Sequence, residues 1–332
     1  MSRISTLIAI AAAAVSGFAF TPAAFAQNYP SKQINLLVSQ PPGAIGDAIV
    51  RGIAAALAPR LGQNMVVDNR PGGEGVLAGQ ACVSAAPDGH TLCQLDGWNI
   101  ALSPFVYNNM PYDTVKDLEP VVYMGSAGGG LWVNSRIPAN GVEELFALAK
   151  KQPGKLNFST FGIASSSHLY VEWLKNTKDI VFTGVSYKSA LEAFRAVVAG
   201  EVDVANYPLR VGLANSKPDQ VKLLAINSEA RLKEYPKMPT YEEVGIKGAV
   251  AWFGIFAPKG TPAAIIDRLN KEIVANLINN DELRRRYLET PGLDTSGPVV
   301  GAPPAVFGKF IQDQRLLLSS MVKEAKITPV SR

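Results

Sequence analysis

The stretch Leu36 to Gly62, LLVSQPPGAIGDAIVRGIAAALAPRLG, limits the fold more than any other part of the chain. Ile34 to Val38 form a short apolar strand that runs into a Pro and Gly loop. From Asp47 onward, Ile49, Val50, Ile53, Leu57 and Leu61 recur at helical spacing. Strand, loop and helix in that order make one unit of an α/β sheet.

Open α/β sheets bind ligands at the carboxyl ends of their strands, where a helix start offers backbone N–H groups and the positive end of its dipole. The loop Pro41, Pro42, Gly43, Ala44, Ile45, Gly46 stands at such an end and suits an anion. Asp47 reads equally as an N-cap or as a direct ligand contact. GxxxxGK[ST] is absent and PPGAIGD lacks the GxGxxG spacing, so a small carboxylate is a simpler occupant than a nucleotide.

The same logic recurs along the chain. A strand over His90 to Leu95 ends at Asp96, Gly97, Trp98 and Asn99, and Trp98 is either a stacking platform or half-packed core. Leu156 to Thr160 lead into Phe161, Gly162, Ile163, Ala164, Ser165, Ser166, Ser167 and His168, where one serine caps a helix and at least one is expected to face a ligand. His168 reads as structural, with a ligand-facing role second. No GxSxG elbow surrounds these serines, and neighbours at a helix start do not aim at one another as nucleophile and base. The strand Ile180 to Val185 ends at Tyr187 and Lys188, and Val202 to Ala205 exit through Asn206, Tyr207 and Arg210. The Arg210 guanidinium suits a carboxylate as well as it suits a surface ion pair.

Gly125 to Gly130, with three consecutive glycines, place a crossing between lobes, and Ala251 to Pro258 read as a second crossing strand. Thr261 and Pro262 then open a helix, cap first. The expected organisation is an α/β fold of two lobes, residues 27–127 with 252–332 forming one and 128–251 the other. No internal repeat of fixed period is visible.

Residues 1–26 read as an export signal: Arg3, an apolar run from Leu7 to Phe20, and a small-residue site at Ala24 to Ala26 with cleavage after Ala26. The run is too short and wrongly flanked for a membrane anchor. A net charge of +4 with scattered basic residues excludes a nucleic-acid stripe, and Arg284 to Arg286 read as a solvated helix face. With His90 and His168 the only histidines and Cys82 and Cys93 the only cysteines, neither a metal site nor a cofactor is expected. In an oxidising compartment the two cysteines either form a disulfide or remain small buried hydrophobes.

PPGAIGD, VVDNRPGGEGVLAGQ, AAPDGHTL, GIASSSHL, VSYKSALEAFRAVVAGEVD and WFGIFAPKGTPAAIIDRLN, in that order, resemble the extracytoplasmic solute receptors of the tripartite tricarboxylate transporters, often called Bug receptors. The resemblance spans nearly the whole chain after the signal. It implies a type II, Venus-flytrap periplasmic binding protein with two crossing strands as hinge. A carboxylate would be held in the cleft by loop backbone groups and water, then delivered to large and small membrane subunits. Carried onto this chain, the ligand set is Pro42 to Asp47, Trp98, Asn99, Gly162, Ser165 to His168, Tyr187 and Asn206, with Arg210 a candidate for specificity. Ala44 stands where the motif usually has Gly. Trp98, Tyr187 and Tyr207 make an aromatic acid worth testing beside aliphatic mono- and dicarboxylates. The expected protein is a periplasmic monomer and not an enzyme. A sensory binding protein for a membrane kinase is the alternative, followed by a periplasmic serine hydrolase using Ser166 or Ser167 with His168.

Overall fold

Two sheets of the same build organise the chain. In the computed structural model, residues 29–228, 230–232 and 234–331 are described. The expected signal, residues 1–26, lies outside them. The strands are β1 (Ile34–Val38), β2 (Met65–Asn69), β3 (Thr91–Asp96), β4 (Leu118–Ala127), β5 (Gly129–Asn134), β6 (Asn157–Thr160), β7 (Thr183–Ser186), β8 (Val204–Pro208), β9 (Val221–Asn227) and β10 (Ala251–Pro258).

The first sheet runs β2-β1-β3-β10-β4, with β1 parallel to both neighbours and β10 antiparallel to both of its own. The second runs β7-β6-β8-β5-β9, with β6 parallel to both neighbours and β5 antiparallel to both. Each sheet is therefore three parallel strands followed by two antiparallel ones. The fourth strand of each has just crossed from the other: β5 follows β4 across Gly128, and β10 returns after β9. The central parallel strands, β1 and β6, are topological equivalents.

The elements form for local reasons. In β1, Ile34, Leu36, Leu37 and Val38 are buried, as a strand covered on both faces requires. The helix Ile45–Leu61 buries Ile49, Val50, Ile53 and Leu57 on that sheet and stops at Gly62, whose φ of 66° closes the last turn. It opens at Ile45, ahead of Asp47, because the first turn is capped from outside: Gln40 Oε1 accepts from Gly46 N at 2.8 Å and Asp47 Oδ2 from Gly43 N at 3.0 Å. Arg70 pairs with Asp68 at 2.8 Å.

Several boundaries differ from those the sequence suggests. Gly125 to Ala127 continue β4, and Gly129 and Gly130 belong to β5. Strands β8 and β9 hydrogen-bond β5 on both sides, and side chains fill the space where a Cβ would sit: at Gly130 it would fall 2.6 Å from Leu223 Cδ1. Asn206 and Tyr207 lie inside β8. Thr261 does not cap its helix; its hydroxyl donates to Pro258 O at 2.8 Å, and the helix Ala263–Ile273 is preceded directly by Pro262.

One apolar cluster runs through both halves, from Leu37 and Leu95 to Phe158 and Trp173. The helix Pro304–Glu324 joins them. Phe307 packs edge-on to Trp252 of β10, with ring centroids 5.7 Å apart. At the other end, Glu324 accepts from Trp173 Nε1 at 2.8 Å and pairs with Lys247. Cys82 and Cys93 are disulfide-bonded with Cα atoms 6.0 Å apart, tying the helix Val76–Val83 to β3. Among the described residues, no helix is long and apolar enough to cross a membrane, and no group of three His, Cys, Asp or Glu could hold a metal ion.

Candidate functional site

The loop after β1 is held by side chains that consume some of its amides and spare others. Asp47 is 4 % exposed. Its carboxylate accepts from Gly43 N at 3.0 Å, Arg51 Nε at 2.8 Å and Asn69 Nδ2 at 3.0 Å. Burial pushes its pKa up, but the bonds from Arg51, Gly43 and Asn69 outweigh that and hold it below the ordinary value. Asp47 is thus neither the N-cap nor an open carboxylate; it fixes the loop. With Gly43 N, Ala44 N and Gly46 N engaged, the amides of Ile45 and Asp47 stay unpaired among the described residues. Gln94, fully buried beneath Gly46, has an Nε2 with no hydrogen-bond partner among the described residues.

The end of β3 braces this loop. Asp96 Oδ1 accepts from Trp98 N and Asn99 N, both at 3.1 Å, and Oδ2 from Gln40 Nε2 at 3.4 Å. Burial pushes the Asp96 carboxyl up to about 6 despite those bonds. Asn99 is spent on structure, accepting from Asp96 N and donating to Glu74 O at 2.5 Å. Trp98 is half-buried and packs against the core.

The loop after β6 is the counterpart. Ser165 caps the helix Ser166–Lys178 by accepting from His168 N at 3.2 Å, and its hydroxyl donates to Gly162 O at 2.6 Å. Ser167 Oγ lies 3.0 Å from Ser165 Oγ, and Ser166 Oγ accepts from Asn206 Nδ2 at 3.0 Å. Asn206 Oδ1 in turn accepts from Tyr241 OH at 2.8 Å. All three serine hydroxyls therefore have partners within the protein, none of them the His168 imidazole. The amides of Ser166 and Ser167 are spared among the described residues. Burial holds the His168 pKa below its ordinary value against the opposing pull of Glu172 and Glu74.

The two loops belong to different sheets and are joined by a residue that the sequence reading passed over. Glu74, in the turn after β2, sends its carboxylate across: Oε2 accepts from Ala164 N at 3.0 Å and from Tyr107 OH at 2.6 Å. A lone acid inside PGGEG was the available signal. At the rim, a Cβ on Gly292 would lie 3.8 Å from Ile45 Cδ1 and 3.7 Å from Arg210 Cβ, so Arg210 and the first loop share one edge. Arg210 is exposed and pairs with Glu234 at 3.9 Å. Tyr187 is tied through its backbone N–H to Thr160 O at 2.8 Å, beside the second loop. Pro42 and Gly43 are exposed on the first.

Comparison with known proteins gives a consistent result. The model of the tripartite tricarboxylate transporter family receptor matches residues 49–325. A UPF0065 protein of Bordetella pertussis is 30% identical over 331 residues, covering 99% of this chain and 98% of its own. Among solved structures, R. palustris Rpa4515 with adipate superposes with a TM-score of 0.81 at 26% identity, over 91% of this chain and 100% of that one. MatC (Rpa3494) from Rhodopseudomonas palustris with bound malate gives 0.77 at 27% identity, over 89% and 100%.

Proposed function

We propose, from the premise that this chain belongs to the tripartite tricarboxylate transporter receptor family, that it captures a small carboxylate between its lobes. It then presents that ligand to the large and small membrane subunits of such a transporter. The observation that carries the reading is the pair of equivalent loops whose helix starts keep amides in reserve, Ile45 and Asp47 on one side and Ser166 and Ser167 on the other. A bound acid recovers those donors on closing, its carboxylate at the first loop and its distal acceptors at the second, and selects the closed state only through such contacts. Beneath Gly46 lies Gln94, whose Oε1 faces the loop and whose buried Nε2 is unpartnered among the described residues. Relatives of the same fold hold adipate and malate, both carboxylates. Hydrogen bonds to a charged group contribute about 1.5 to 3 kcal/mol each, so a handful less ordering costs reaches the roughly 8 kcal/mol of a micromolar receptor.

Export followed by cleavage after Ala26 would place this receptor in the periplasm as a monomer, with Pro42 to Asp47, Gly162, Ser165 to His168, Tyr187 and Asn206 around the ligand and Arg210 at the rim. The serine hydroxyls serve as structure, which favours a receptor over a hydrolase.

The test is calorimetric titration of the exported form with a panel of aliphatic and aromatic acids, beside the variant Ile45→Pro. Proline suits the first position of a helix, and Ala44 already has the extended ψ of 169° that a following proline requires. The substitution therefore deletes one amide donor and leaves the helix intact. The expected outcome is a carboxylate with micromolar affinity that weakens by about ten-fold or more in Ile45→Pro. Binding that is unchanged in the variant would remove the first loop from the site.

A further inference from the structure

The cleft already contains a carboxylate. Glu74 Oε2 takes the Ala164 amide on the second lobe's loop, and the loop is shaped around the group: Gly162 has φ 109°, and a Cβ there would collide with Glu74 Oε1. Glu74 itself stands at φ 53°, a left-handed conformation that an L side chain adopts at a cost. Its main-chain oxygen is pinned by Asn99 Nδ2, and Asn99 by Asp96. Among the described residues its carboxylate forms no ion pair, having only the neutral donors Tyr107 OH and Ala164 N.

We infer that Glu74 sets the ligand class: the protein supplies the second carboxylate of its own cleft, and so takes monocarboxylic acids in preference to dicarboxylic ones. The inference rests on the carboxylate reading above. At the second loop Glu74 already holds the Ala164 amide, so a ligand gripped by the first loop that also carried a distal carboxylate would bring it to the Ser166 and Ser167 amides beside a like charge, whereas a neutral acceptor takes the same amides without that repulsion. A ligand with a neutral or apolar distal end meets Glu74 without that opposition. Specificity here comes from the repulsive element, not from an added attraction.

Matched acids isolate the effect: hexanoate against adipate, and benzoate against terephthalate. Each is titrated into wild type, Glu74→Gln and Glu74→Gly, with urea unfolding to establish that the variants are folded. Glu74→Gln keeps the shape and the Tyr107 contact while removing the charge, and Glu74→Gly relieves the left-handed backbone and empties the cradle. Wild type is expected to favour the monocarboxylate by about ten-fold or more, and both variants to shrink that ratio to within about three-fold or invert it. A wild-type preference for the diacid, or a ratio unchanged in both variants, overturns the role of Glu74 and leaves the receptor reading standing. No binding of any acid to any of the three proteins overturns both.

Discussion

The loops after β1 and β6 occupy equivalent positions in equivalent sheets, yet each comes by its carboxylate differently. The first grows its own: Asp47 turns back from the helix it belongs to and holds Gly43 N, with Arg51 and Asn69 closing around it. The second caps its helix with the neutral hydroxyl of Ser165 and receives a carboxylate from the opposite lobe, Glu74. One loop is completed from within its own lobe, whereas the other draws its carboxylate from the lobe opposite.

The most severe way to break this contrast is Asp47→Ala. It removes the acceptor of Gly43 N and the partner of Arg51, leaves Asn69 Nδ2 with Gln40 O alone, and should cost about 1.5 to 3 kcal/mol of stability in urea unfolding. Glu74→Ala, which removes the second loop's carboxylate, should cost far less because its donors are closer to water when the lobes part. Equal losses would mean that both loops depend on imported order.

The pH response separates the groups around the two loops next. The Asp96 carboxyl behind the first loop rises from 3.8 to about 6, so the folded state holds a proton that the unfolded chain has released. Its contribution is therefore full below the ordinary pKa and falls as pH climbs from about 4 to about 6, by of order 1 to 3 kcal/mol. Asp47 acts in the opposite sense: its lowered pKa adds stability above the ordinary value that is lost as pH falls through the folded one. His168, lowered by burial, also costs stability on acidification. Asp96→Asn keeps an acceptor for Trp98 N and Asn99 N while abolishing the titration. Subtracting its urea-unfolding curve from wild type between pH 4 and 7 should leave a downward step; a flat difference would show Asp96 ionised and paired throughout.

How far all this was legible depends on whether a partner lies near in sequence. PPGAIGD announces a strand-end loop because its prolines, glycines and helix spacing act within a few residues, and the crossings are marked by Gly128 and by the apolar run into Pro258. Gly129 and Gly130 look like breakers in the sequence, yet two flanking strands distant in sequence make them part of a strand. The common plan of the two sheets leaves no period in the sequence, since equivalence of β1 and β6 is topological. Glu74 was hidden for the same reason: its acceptor role is set by Ala164, ninety positions on. The serines suggested ligand hydroxyls, but Asn206, forty positions on, holds Ser166, and Gly162 of the same loop holds Ser165.

The smallest expected effect is the sharpest probe of the contrast. Ser165→Ala removes the cap on His168 N and should cost about 1 kcal/mol. Ser165→Asp supplies an equally good cap, and at an isolated helix start its charge would favour the dipole. Here the charge arrives one residue from Ala164 N, where Glu74 already sits. Ser165→Asp is therefore expected to be no more stable than Ser165→Ala in the wild-type background and to recover about 1 kcal/mol in the Glu74→Gln background, read as the coupling in a double-mutant cycle. Additive behaviour would mean that Glu74 does not dwell at the second loop in solution; coupling would show that this lobe cannot grow a carboxylate of its own because the other lobe has already lent one.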